Sequence, residues 1–159
     1  MSEIEFSKQL KKLAGLPATE FILHREPMLL LDRLVDVEPG YALCEWRVLD
    51  SNEFYVPGCG VPAYIGVEYM AQCIAIYAGA RARVHGLLPP LGFLLGTRHY
   101  QSTIPYFELD VTYRLACREL IRDAEGMGSY DCRIMHHDMS VAEGRLTVFE
   151  KQQGERIDG

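Results

Sequence analysis

The stretch Pro62-Ala63-Tyr64-Ile65-Gly66-Val67-Glu68-Tyr69-Met70-Ala71-Gln72-Cys73-Ile74-Ala75-Ile76-Tyr77-Ala78-Gly79-Ala80-Arg81 decides how this chain is read. Nothing between Glu68 and Arg81 is charged, and Tyr69, Met70, Ile74, Ile76 and Tyr77 spread round the whole helical wheel. A helix that is apolar on every side is a buried helix. Pro62 suits a first helical position, and Arg81 and Arg83 oppose the negative end of the dipole ahead of Gly86 and Pro89-Pro90. A membrane span needs about 20 predominantly apolar residues. This run is shorter and carries Glu68 and Gln72 one turn apart on one face, so the expectation is an enclosed helix and no span. Small residues at Ala71, Ala75, Ala78 and Gly79 would let neighbouring backbone approach it closely.

Working outward, the flanks read as strands. Residues 28–37 alternate, with Leu29, Leu31, Val35 and Val37 on one face and Asp32 and Asp36 on the other. Residues 41–48 place Ala42, Cys44, Trp46 and Val48 together, and Glu38-Pro39-Gly40 between the two runs signals a hairpin. After Pro90 the period of two returns at residues 92–100, at 108–117 with Leu109, Val111, Tyr113, Leu115 and Cys117 inward, at Tyr130, Cys132 and Ile134, and at Ala142, Leu146 and Val148. Six strands with one apolar face each pack economically as a curved antiparallel sheet around the helix, an α+β arrangement. A short covering helix and loop fill residues 1–20, a polar and loose tail is expected over 152–159, and the 159 residues form a single domain.

Composition narrows the function by exclusion. A formal net charge of −6 argues against a general nucleic-acid binder. Five cysteines without a Cys-x-x-Cys pair read as reduced thiols, and with no leader pattern the expected location is cytoplasmic. The histidines lack metal-ligand spacing, and His136-His137-Asp138 reads as a solvated turn. No phosphate loop, dinucleotide fingerprint or serine elbow is present in the sequence.

The order of hairpin, buried helix and meander resembles the hotdog fold. Leu23-His24-Arg25-Glu26-Pro27-Met28-Leu29-Leu30-Leu31-Asp32-Arg33 resembles the strand-opening signature of β-hydroxyacyl-acyl-carrier-protein dehydratases. The run from Pro62 to Gln72 is similar to their central-helix motif, in which a proline and a small residue precede a glutamate and an Ala-Gln pair follows it. Asn52-Glu53-Phe54-Tyr55 matches the approach to their active-site loop, and Gly126-Met127-Gly128 a late hairpin. Within that family the chain looks closest to the dehydratase-like proteins of aryl polyene lipid biosynthesis. One departure stands out: the family's dehydratases carry a basic histidine in a Gly-His-Phe-Pro segment. Here Phe54-Tyr55-Val56-Pro57-Gly58-Cys59-Gly60-Val61 is shorter and has none.

Dehydration of a β-hydroxyacyl thioester needs a base for the Cα proton, an acid for the hydroxyl and donors for the thioester carbonyl. The resemblance assigns the last task to amides near Ala63 and Tyr64, and Gly58 and Gly60 would let an acyl chain pass close to the backbone. Burial in an apolar helix would favour a neutral Glu68 carboxyl, able to protonate a leaving hydroxyl, with Gln72 to orient it. The alternative is a buried acid merely satisfied by hydrogen bonds. His24 is the substitute base, or else a side chain that packs its loop. Cys59, between glycines, is a weak candidate nucleophile because nothing announces its activation, and Cys73 belongs to the core. Catalytic Glu68 and His24, with substrate contacts at Gly58, Cys59, Gly60, Ala63, Tyr64 and Gln72, form the expected site.

Three functions stay open: a dehydratase, a thioesterase of the same fold in which Glu68 activates water, and a non-catalytic subunit paired with a complete relative. The resemblance implies no metal or cofactor beyond the phosphopantetheine arm that carries the substrate on an acyl carrier protein. It also implies a homodimer, or a hetero-oligomer with a related dehydratase. An acidic carrier would need a local basic patch, with Arg81, Arg83 and Arg98 as candidates if they are not simply solvated.

Overall fold

The computed structural model describes residues 1–155. Its main sheet has six strands in the order β1-β2-β6-β7-β8-β4, every neighbouring pair antiparallel. They are β1 (Arg33–Glu38), β2 (Tyr41–Arg47), β4 (Leu91–Ser102), β6 (Thr112–Arg122), β7 (Met127–His136) and β8 (Met139–Lys151). A short pair, β3 (Val61–Pro62) with β5 (Tyr106–Phe107), stands apart from the sheet. Helix α1 (Glu3–Lys11) opens the chain, and the central helix α2 (Gly66–Val84) lies against the inner face of the sheet. This is the hotdog arrangement expected.

Aromatic packing fastens helix to sheet. Trp46 of β2 stacks on Tyr69 of α2 with ring centroids 4.0 Å apart, and Phe107 and Tyr113 close round the same indole at 5.7 and 5.4 Å. Offset and edge contacts of this kind add about 0.5–1.5 kcal/mol per pair beyond area burial. Toward the other end, the Tyr77 hydroxyl accepts from the Gly40 amide at 2.8 Å and so ties α2 to the first hairpin. Cys44, Cys73, Cys117 and Cys132 are buried in the core, where burial pushes the Cys73 and Cys132 thiols up.

Several sequence expectations need correction. The first strand begins at Arg33, not residue 28, and a register slip between Leu34 and Asp36 exchanges its faces. Leu34 and Val37 are therefore buried while Val35 is half-buried, because a bulge breaks the simple alternation. Leu109 is exposed, since Asp110 turns with a φ of 63° and pairing starts only at Thr112. The helix begins at Gly66 after a single 3-10 turn, Ala63–Ile65, that follows Pro62. Nor is it enclosed on every side, because Val67, Glu68, Ala71 and Ala75 form a half-buried stripe along one face. In the expected loose tail, Gln152 and Gln153 donate to the Leu88 and Pro89 carbonyls and the Leu88 amide donates to Gly154. Residues 156–159 of that tail lie outside the described residues.

Candidate active site

Glu68 stands in the first turn of α2, half-buried, with Gln72 one turn further on and almost completely buried. Glu68 is thus open on one side and not fully enclosed as the sequence led us to expect. Gln72 does more than orient that carboxyl. Its Nε2 donates to the Met28 carbonyl at 2.7 Å and its Oε1 accepts from the Leu30 amide at 2.9 Å, whereas its contact with Glu68 is a long 3.5 Å. Geometry of that quality makes the first two bonds the strong ones. Gln72 is chiefly a clamp that holds the backbone of residues 28–30 on the helix.

The same loop is anchored at its other end. A Cβ added at Gly79 would lie 2.0 Å from the Phe21 carbonyl oxygen, so only glycine lets the loop touch the helix there. Between the two anchors Arg25 braces the bend by donating to the Ile22 and His24 carbonyls, both at 2.8 Å. His24 is therefore carried across the helix on a fixed span, and its Nδ1 is buried with no hydrogen-bond partner among the described residues.

What lies between these parts is a cavity of about 260 Å³. His24, Glu68 and Gln72 all line it, and Phe21, Ile74, Phe93, Leu94 and Val148 make its apolar wall. Small residues at Ala71, Ala75 and Ala78 leave the room, and with Glu68 they run along α2 over about 15 Å at 1.5 Å per residue. Glu150 also lines the cavity, ion-paired to Arg81 through Oε2 while its Oε1 is buried without a hydrogen-bond partner among the described residues. An apolar cleft with a few convergent polar groups suits a chain with one reactive end.

The other five expected site residues do not line this cavity. Gly58, Cys59 and Gly60 belong to a tight turn closed by paired bonds between Val56 and Gly60 at 2.8 and 3.0 Å. Their glycines serve the turn itself, with φ of 78° and 120°, and a Cβ at Gly60 would meet the Phe107 carbonyl at 2.3 Å. Cys59 is exposed there. The Ala63 amide already donates to the Pro105 carbonyl at 3.0 Å, which withdraws it as a donor to a substrate, and the Tyr64 side chain is exposed. Among the described residues no group of three or more His, Cys, Asp or Glu could hold a metal ion, and no helix is long and apolar enough to cross a membrane.

The basic docking patch also dissolves. Arg81 is half-buried between Glu150 and Glu119, and Arg83 pairs with Glu20 at 3.0 Å. Arg98 alone is exposed on β4 without an ion pair among the described residues. Two features that matter to the site were not anticipated: the Phe21 carbonyl as the neighbour that Gly79 admits, and Tyr100, which donates to the Ala63 carbonyl at the entry of α2. The small residue at 79 was a signal for the first; nothing in the alternation of residues 92–100 marked the second.

Residues 16–157 match the model of the ApeP-like family, described as ApeP dehydratase. The chain belongs to that family. A 3-hydroxyacyl-[acyl-carrier-protein] dehydratase FabZ of Chloroflexus aggregans is 32% identical to this ApeP-like chain over 130 residues, covering 79% of the chain and 87% of the relative. A FabZ of Anaeromyxobacter sp. is 45% identical over 60 residues, which span 35% of the chain and only 38% of that protein. Among solved structures, the dehydratase heterocomplex ApeI:P from Xenorhabdus doucetiae matches with a TM-score of 0.81 at 25% identity, over 87% of this chain and 93% of that one. The PaaI protein of the E. coli phenylacetic acid degradation operon shares the fold, at a TM-score of 0.57 and 14% identity over 80% and 83% of the two chains.

Proposed function

We propose that this ApeP-like protein dehydrates a β-hydroxyacyl thioester, with Glu68 and His24 as its acid and base. The observation that supports this is their convergence on one cavity whose remaining wall is largely apolar. The His24 imidazole removes the Cα proton, the electron pair forms the Cα=Cβ bond, and the Cβ–O bond breaks as Glu68 protonates the departing hydroxyl. Water and an enoyl thioester leave. The substrate arrives on the phosphopantetheine arm of an acyl carrier protein, with no metal or further cofactor. Five free cysteines, four of them buried, suit the reducing cytoplasm.

The proposal includes a homodimer. Strand β4 ends the sheet, is 12 residues long, and exposes Leu91, Phe93, Leu94 and Leu95. A long apolar edge of this kind calls for a cover. Because Leu91, Phe93 and Leu94 also line the cavity, a second copy placed there would finish its wall. Light scattering at micromolar concentration should give twice the 18.0 kDa of one chain, and a monomer there excludes the idea.

A second reading has its own support. The segment 54–61 has no histidine, and the ApeI:P structure it resembles is a heterocomplex, so the chain could instead complete a related dehydratase without turnover of its own. Product analysis on the purified protein with a β-hydroxyacyl carrier thioester separates the cases. Enoyl thioester supports dehydration; free acid indicates hydrolysis by the same fold; turnover only after addition of a related dehydratase indicates the partner role.

A further inference from the structure

Tyr100 does not line the cavity, yet two local departures from regular structure converge on it. Strand β4 slips register against β8 between Arg98 and Gln101, and His99 takes a φ of 56°, which few residues other than glycine adopt. Bulges re-aim side chains. Here residues 91–99 are all exposed, and Tyr100 is the first of the strand to turn partly inward.

Two glycines receive it. A Cβ at Gly66 would stand 2.0 Å from the Tyr100 hydroxyl oxygen, and one at Gly144 3.2 Å from its ring Cδ1. Neither glycine has a left-handed backbone, so what each provides is space. The hydroxyl donates to the Ala63 carbonyl, which also accepts the Gly66 amide. Helix α2 has no side-chain cap of its own, because Ile65 holds the N-cap position. Burial pushes the Tyr100 phenol up to about 12, so it remains a donor across the physiological range.

We propose that Tyr100 is a positioning residue for the Glu68 site, pinning the first turn of α2 to the strand that forms the opposite wall of the cavity. The role rests on the dehydratase reading above. Glu68 follows Gly66 by two residues, and Leu91, Phe93 and Leu94 of the same β4 line the cavity, so one hydroxyl joins its two sides. A misplaced reacting group is expensive in rate even when the fold survives: about 1 Å can lower turnover by about a hundredfold.

The test is Tyr100→Phe, which keeps the ring and removes one oxygen, made in the full chain and assayed with a β-hydroxyacyl thioester. The expected result is a kcat about tenfold lower or more with KM within about twofold, at an unfolding temperature close to that of the parent. Nuclear magnetic resonance on the same variant should show amide shifts concentrated at residues 63–68. Contact between the two partners is checked by Gly66→Ala, which should lose less in a Tyr100→Ala background than in the parent, a non-additivity expected only of groups that touch. An unchanged kcat in Tyr100→Phe overturns the proposal. If the parent chain turns over no thioester, the dehydratase reading falls, and unchanged amide signals at residues 66–68 then overturn the positioning role by themselves.

Discussion

Gly79→Ala separates this account from a generic view of helices. In an exposed helix interior the change stabilises by about 1 kcal/mol, because alanine loses less backbone entropy. In α2 the new methyl would meet the Phe21 carbonyl oxygen at 2.0 Å, its carbon at 2.8 Å and its Cα at 3.0 Å, all backbone atoms. The first contact is more than an ångström short of ordinary packing, and Phe21 is fully buried, so the loop as a whole must move. Overpacking of this sort costs about 1–3 kcal/mol. Three backbone contacts this short put the cost in the upper part of that range, about 2–3 kcal/mol. Against the propensity gain the net effect is a destabilisation of roughly 1–2 kcal/mol, or a melting temperature lower by roughly 2–8 °C for a chain of this size. His24 lies three residues beyond Phe21, so activity should fall further than stability. Thermal and urea unfolding, with kcat measured well below the transition, read both effects. A variant that melts higher than the parent and keeps full activity would refute the close approach of loop and helix.

Two further expectations concern the clamp and the tyrosines. Gln72→Ala strands the Leu30 amide and the Met28 carbonyl, so urea unfolding should report a loss of about 1–3 kcal/mol, whereas a shift within error would mean that those groups find other partners. Burial raises Tyr100 to about 12 and lifts Tyr69 and Tyr130 above it, all from an ordinary value of 10.0. A raised folded value means that their contribution to stability is complete below pH 10 and is lost as pH climbs through the folded values. The urea midpoint should therefore fall between pH 10 and 12, together with the rise of tyrosinate absorbance; equal midpoints at the two pH values would contradict the burial.

The architecture was legible because it is written in periodicity. Alternating β2 and the apolar run of α2 say which faces are inside, and the order of elements leaves few packings. Where the reading failed, backbone geometry intervened. The slip at Val35 exchanged the faces of β1, and the turn at Asp110 freed Leu109, both events of one residue that leave the local composition unchanged. Within the site, Glu68, Gln72 and His24 could be named from residue type and motif, but their convergence depends on a loop crossing the helix at Gly79, a contact between residues 58 positions apart. Gly58 and Gly60 show the opposite error: their freedom serves their own turn. Arg81 had the look of a solvated cation at a helix end, and only the placement of Glu119 and Glu150 on β6 and β8 shows it to be a half-buried ion-pair partner.

The central claim is that the Glu68 carboxyl moves a proton in the interconversion of a β-hydroxyacyl and an enoyl thioester. Incubating the protein with an enoyl thioester in deuterium oxide and following deuterated β-hydroxyacyl thioester by mass spectrometry tests it. In that direction Glu68 must take a proton from the water that adds at Cβ, while His24 delivers the label to Cα. The account predicts deuterated β-hydroxyacyl product from the parent chain, and none above background from a folded Glu68→Gln variant. Equal label from the two proteins would contradict it.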